Sequence, residues 1–247
     1  MAKALPSKVP GAWGGGEVAV SFGGYYPDGK AFVFVEFNND GPRGGGPDVD
    51  GADGAAAPVT NQANTPIESI EANYPLQINK YGFVQNTEGA GEYRGGMGIV
   101  REFKLLHEEA TLQIRSDRSK FLPWGNQGGE PGTRNFNILN PDSENTILPS
   151  KFLKTLKKDE VYRLIQSGGG GYGNPINRNP KSVLKDVLEE KITSKRAKDI
   201  YGVIINKNKI NYEDTKLLRE KLHQHQENKP LYPKATPVKG NPKPPKF

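Results

Sequence analysis

The chain has 247 residues, a hydrophobic fraction of 34% and no cysteine. That length can bury a core in one large domain or two small ones, the lack of cysteine excludes a disulfide framework and a thiolate site, and no apolar run approaches the roughly 18 residues of a membrane span. The net charge of +6 is unevenly spread, with 12 Lys and Arg against 18 Asp and Glu in residues 1–150 and 22 against 10 in residues 151–247. The excess lysines fall at helical spacing among acids and in a Pro-rich tail, without interleaved aromatics. Solvated helix faces are therefore preferred to a nucleic-acid surface. Residues 1–8 lack the apolar core of a signal peptide, so a cytoplasmic location is expected.

Thirty glycines and 20 prolines predict short strands joined by many turns. Residues 17–22 (EVAVSF) and 30–37 (KAFVFVEF) alternate in polarity on either side of Pro27, Asp28 and Gly29, which predicts a β-hairpin. Residues 38–57 are rich in glycine and aspartate and are expected to bury little, as a long surface loop or a site-forming one. A short helix is expected after Asn64 or Thr65 as N-cap, with Pro66 in the first turn and Glu68 in the capping-box position, ending before Pro75. Further strands are expected at 76–84, 98–106, 110–116, 135–139, 151–156 and 160–165. Beyond residue 176 the pattern becomes helical, with helices at 179–190, 193–202 and 211–226, a short strand at 203–205, and an extended, disordered Pro/Lys-rich tail from 228. The predicted class is α+β. A β-rich mixed or antiparallel sheet assembly occupies 1–176, a small helical segment 177–227 and the tail 228–247.

Several stretches can carry chemistry. Residues 88–101 hold five glycines in fourteen positions together with Arg94 and Arg101, a density that signals backbone approached closely by something else. Gly168 to Gly171, followed by Tyr172 and Gly173, comes after a predicted strand. It lacks both the Gly-Lys-Ser/Thr ending of a phosphate loop and a following helix, so a tight backbone turn is preferred to an anion cradle. Asp48, Asp50 and Asp53 alternate like a calcium loop but lack its terminal glutamate, and no metal is assigned. His107, His223 and His225 share no face or motif. Ser116-Asp117-Arg118, at a strand end, is either a structural ion pair or a carboxylate or phosphate clamp. Asp117 and Arg118 are the candidate catalytic residues, the catalytic group being otherwise unknown.

The motifs taken in order resemble the hydantoinase B/oxoprolinase family. They are Asn64-Thr65-Pro66-Ile67-Glu68 with Tyr74-Pro75, and Gly89-Ala90-Gly91-Glu92-Tyr93-Arg94-Gly95-Gly96-Met97-Gly98. Arg118 with Pro123-Trp124-Gly125, Gly128-Gly129-Glu130-Pro131-Gly132 and Leu148-Pro149-Ser150-Lys151 follow, then Gly168 to Pro175 and Tyr201-Gly202-Val203. The resemblance covers about residues 10–205 and corresponds to the C-terminal part of B-type subunits about twice this length.

It implies part of a subunit, not active alone, of an ATP-dependent hydrolase of cyclic amide C–N bonds, acting on hydantoin, 5-oxoproline or another lactam. The companion A-type subunit would bind ATP and Mg and phosphorylate the substrate. No cofactor is assigned to this chain. Implied partners are that A-type subunit, a chain carrying the missing N-terminal part, and a small cyclic amide. Implied substrate-binding or loop-shaping residues are Arg43, Asn64, Thr65, Arg94, Gly168, Gly169, Gly170, Gly171 and Tyr172. The His- and Asp-bearing metal segments of relatives are not matched, which leaves a fragment, a split subunit or a degenerate copy as alternatives. A non-catalytic structural module and part of a related ketone carboxylase are the other functional readings.

Overall fold

Alternation at residues 17–37 becomes a hairpin. In the computed structural model, which describes residues 4–15, 18–37, 41–55, 63–224, 235–240 and 242–245, β1 (Ala19–Tyr25) pairs antiparallel with β2 (Ala31–Glu36). The strands that follow are β3 (Leu76–Phe83), β4 (Ile99–Leu105), β5 (Glu109–Arg115), β6 (Phe121–Leu122), β7 (Phe136–Leu139), β8 (Thr146–Leu148), β9 (Lys151–Lys157) and β10 (Val161–Ile165). They form a four-stranded sheet ordered β2-β1-β5-β9 and a five-stranded sheet ordered β3-β4-β10-β7-β8, with every pairing antiparallel. Two short connections, at 106–108 and 158–160, carry the chain from one sheet to the other, so neither β4 and β5 nor β9 and β10 are neighbours.

The two sheets share one core. Val20, Phe22, Phe34, Leu112 and Ile114 from the first meet Leu76, Phe103, Leu105, Tyr162 and Leu164 from the second, and Phe103 lies 5.5 Å from Phe22 and 6.0 Å from Phe34, ring centre to ring centre. β2 alternates exposed and buried along its length, as a half-covered strand should. β4 is buried on both faces. Its second face carries Val100 in a smaller cluster with Val84, Phe136, Ile138 and Ile165, and Glu102 paired with Arg163.

Helix α1 (Ile67–Asn73) begins one residue later than a Thr65 cap predicts and two later than an Asn64 cap, with Pro66 at the N-cap and no side-chain cap. The reason lies in tertiary demand. The Asn64 amide donates to the Tyr81 hydroxyl at 2.8 Å, and the Thr65 N–H donates to Glu36 Oε1 at 2.8 Å. Arg101 completes that corner, donating to Glu36 Oε1 and to the Thr65 carbonyl, each at 2.6 Å, beneath the Tyr81 ring.

The C-terminal helices follow their caps. Asn179 accepts from Lys181 N to open α2 (Pro180–Leu188), Thr193 accepts from Arg196 N to open α3 (Ser194–Asp199), and α4 spans Tyr212–Gln224. The short strand expected at 203–205 is displaced. β11 (Ile205–Asn206) pairs with β12 (Lys209–Ile210) across Lys207 and Asn208, both at positive φ. Val183, Ile192, Ala197, Tyr201 and Val203 bury against Ala90, which joins the helical segment to the glycine-rich stretch. Within the Pro/Lys-rich tail, β13 (Thr236–Pro237) is extended and pairs with β6. Residues 38–40, 56–62 and 225–234 of the predicted loops and tail lie outside the described residues.

Candidate functional site

The four glycines at 168–171 follow β10 as neither a tight turn nor an open cradle. A Cβ on Gly168 would stand 1.7 Å from Thr87 O, on Gly169 2.2 Å from Arg43 O, on Gly170 2.0 Å from Trp124 O and on Gly171 2.1 Å from Ala90 O. After three residues the direction returns to the same neighbouring segment, which is the threefold repeat of an extended polyproline-II-type helix. Such a helix has no internal hydrogen bonds, and these glycines bond outward. Gly169 N donates to Gly96 O, Gly170 N to Ala12 O and Gly171 N to Glu130 O, while Gly169 O, Gly170 O and Gly171 O accept from Gly89, Gly45 and Asn126. The segments around 11–14, 41–52, 87–98 and 123–133 thus surround the central run. The N–H groups of Gly169, Gly170 and Gly171 are committed to protein carbonyls and cannot cradle an anion. Residues 41–55, expected to bury little, instead contribute buried Gly45, Gly46 and Gly51.

Acidic side chains of that loop meet arginines. Arg94 grips Asp53 with both terminal nitrogens, at 2.8 and 3.1 Å, and places Nε 3.1 Å from Asp186. Arg178 grips Asp50 at 2.6 and 2.7 Å and donates to the other oxygen of Asp186 at 2.8 and 3.1 Å. Lys191 reaches Asp53 at 3.2 Å. Three carboxylates therefore face three cations, all held between the acidic loop, the glycine stretch and α2. Burial works against charge on both arginines, but their aspartate partners outweigh it and hold them charged. Asp50 and Asp53 serve as guanidinium acceptors, and among the described residues no group of His, Asp and Glu is arranged to hold a metal ion.

Burial opposes the charge of Asp53, yet Arg94, the Met97 N–H and Lys191 together hold its carboxyl below the ordinary value. A carboxyl depressed in the folded state adds stability above its unfolded pKa, about 3.9. That contribution disappears as pH falls through the lower folded value. Asp53→Asn is expected to lose less stability than wild type between about pH 7 and about pH 3, followed by denaturant titration; identical losses would remove Asp53 from the acid response.

The remaining predicted site residues are dispersed. Arg43 is exposed, and its backbone bonds Ala52 O and Gly96 N. Tyr172 bonds the Ser7 carbonyl through its hydroxyl at 2.9 Å. Asn64 and Thr65 belong to the Glu36–Arg101 corner. Asp117 and Arg118 line a separate open groove of about 400 Å³ with Ser116, Ser119, Lys120, Phe121, Ser150 and Lys151. Arg178 and Asp186 are absent from the sequence-based set. Their signal is a carboxylate on the buried stripe of α2, beside Val183 and Val187, with an arginine just ahead of the helix cap.

The sequence matches the family described as Hydantoinase B/oxoprolinase over residues 1–175, and the chain belongs to that family. It is 34% identical over 224 residues to the B-type subunit of the putative D-/L-hydantoinase of Pseudomonas sp. (strain NS671), covering 89% of this chain and 37% of that relative. Its fold is similar to that of the ATP-dependent caprolactamase from Pseudomonas jessenii, with a TM-score of 0.78 and 24% identity over 89% of this chain and 40% of the other. It is also similar to acetone carboxylase, with a TM-score of 0.64 and 18% identity over 84% of this chain and 33% of the other. The chain thus spans well under half the length of these relatives. Among the described residues no helix is long and apolar enough to cross a membrane.

Proposed function

We propose that this chain supplies the C-terminal part of the B-type subunit of an ATP-dependent cyclic-amide hydrolase acting on hydantoin, 5-oxoproline or another lactam in the cytoplasm. The observation that carries the reading is the family match across residues 1–175, within which lie the segments that build the glycine bundle. A lactam carbon is a poor electrophile because nitrogen donates into the carbonyl. Phosphorylation of the amide oxygen by an A-type subunit using ATP and Mg makes that carbon attackable; water adds to it, the ring nitrogen leaves as the amine with the proton that water gives up, and a second water hydrolyses the resulting acyl phosphate to carboxylate and phosphate. The pairing of Arg94 with Asp53 and Asp186 supports a loop-shaping role for it in this reading, in which Asp117 and Arg118 are the candidates nearest to chemistry.

The test is assembly and turnover. Co-expression with an A-type subunit and a chain carrying the remaining B-type portion should yield a complex whose ATP hydrolysis is stimulated by a lactam. Failure to associate would sink the proposal. The likeness to acetone carboxylase supports a second reading, ketone carboxylation, for which stimulation would need acetone and bicarbonate instead. In the assembled complex, Asp117→Asn should lower turnover with assembly intact; an unchanged rate favours a scaffold role.

A further inference from the structure

The Arg118 groove has features that the bundle does not explain. Arg118 sits at φ 57°, a left-handed conformation unfavourable for a residue with a side chain. Gly15 lies flat against it, so close that a Cβ there would stand 3.0 Å from Arg118 Cγ and 3.6 Å from Nε. Among the described residues Arg118 Nε is shielded from solvent without an acceptor, and Nη2 makes a long contact of 3.4 Å to Trp13 O. Burial disfavours its charge, partly offset by Asp117. The floor is fixed, because Ser116 Oγ donates to Ser150 O at 3.0 Å and accepts from Asn137 Nδ2 at 3.0 Å. Lys120 and Lys151 stand exposed at the rim. Three cations face one acid among the described lining residues, with the Ser119 and Ser150 hydroxyls beside them.

We propose that this groove binds a phosphoryl group, with Arg118 as the central donor and Lys120 and Lys151 flanking it. A carboxylate has two oxygens and would satisfy Arg118 alone, whereas cations and hydroxyls on several sides of a groove suit a tetrahedral dianion. The identity of the ligand rests on the function proposed above, in which it is the phosphate ester of the activated cyclic amide. Arg118 is then a binding residue for the intermediate delivered by the A-type subunit.

Calorimetry or phosphorus NMR on the purified full chain, at low salt, with inorganic phosphate and phenyl phosphate as probes, tests the site without companion chains or lactam. Its failure is therefore distinct from failure of the assembly experiment. Saturable binding is expected, weakened about tenfold or more by Arg118→Gln, about threefold by Lys151→Gln, and unchanged by Lys154→Gln, which is exposed on β9 outside the groove. Tighter binding of phenyl phosphate identifies a ring ester as the ligand and equal binding identifies free phosphate; both support the site. No saturable binding, or binding that Arg118→Gln and Lys151→Gln leave intact, overturns it. If Arg118→Gln does not fold, Lys151→Gln at the exposed rim decides the outcome.

Discussion

Gly168→Ala is expected to abolish folding, although the change adds a single methyl group. Its Cβ would meet the Thr87 carbonyl oxygen at 1.7 Å and Glu88 N at 2.9 Å, both backbone atoms of a neighbouring segment. That segment cannot retreat, because its own Gly89 already lies against Gly171 N and Glu130 O, and Gly95 against Gly169 O. Relief would have to separate several segments and break the hydrogen bonds between them. A cost above about 4 kcal/mol follows, a large share of the roughly 5–15 kcal/mol that holds a domain folded. Gly95→Val and Gly96→Val should behave alike, since their Cβ atoms would stand 2.0 Å from Gly169 O and 2.1 Å from Ala52 O. Gly82→Ala, in β3 with nothing within 4 Å of the added carbon, should stay within about 0.5 kcal/mol of wild type. Soluble yield and urea denaturation separate the two groups, and a soluble Gly168→Ala protein of wild-type midpoint would refute the close-packed bundle.

This contrast shows what could be taken from the sequence. The β1–β2 hairpin was legible because alternating Val and Phe against polar residues carries its period within a few positions. The caps of α2 and α3 were legible for the same local reason. The bundle was not, because a glycine run has no side-chain periodicity. Its threefold repeat shows only in the neighbours that each missing Cβ would strike, and those come from segments dispersed along the chain. Asn64 and Thr65 misled as caps because Tyr81 and Glu36 claim them. Asp50 and Asp53 suggested a polar surface loop because their partner Arg178 is 128 and their partner Arg94 41 residues away. Family resemblance located the right stretches without saying what their glycines do.

The bundle and the groove are mechanically connected. Segment 11–15 bonds the bundle centre through Ala12 O and ends with Gly15 flat on Arg118. Ser167, at the start of the central run, bonds Gly14 O through its hydroxyl. Packing of glycine backbone therefore reaches the guanidinium that the groove presents, so a change at Gly170 should disturb Arg118 without touching it. This gives a close-packed, rigid scaffold a reason to sit beside a ligand-binding surface.

Arg178→Ala is expected to destabilise the fold by about 3 kcal/mol, the lower end of the cost of removing one partner from a buried ion pair. Arg178 is 3% exposed and Asp186 4% exposed, so water cannot replace the donors that Asp186 loses, whereas the Asp50 side chain is 37% exposed and can turn to solvent. The substitution takes the guanidinium from both oxygens of Asp50, one of which keeps the Arg94 N–H at 2.9 Å, and from one oxygen of Asp186, and frees the Glu92 carbonyl that Arg178 also holds at 3.0 Å. Arg178→Lys should not restore stability, because one ammonium cannot bind Asp50 at two oxygens while reaching Asp186. Asp186→Ala alone should also destabilise, since Arg94 and Arg178 lose the carboxylate they share and face each other with like charge. The double variant Arg178→Ala/Asp186→Ala should cost less than the two single changes combined, by more than about 1 kcal/mol, because each single change already removes the Arg178–Asp186 contact that the two side chains share. Denaturation of the four proteins in a double-mutant cycle measures that coupling. Strict additivity would mean that the Arg178–Asp186 contact itself contributes nothing to stability and that the two side chains merely fill the space beside α2.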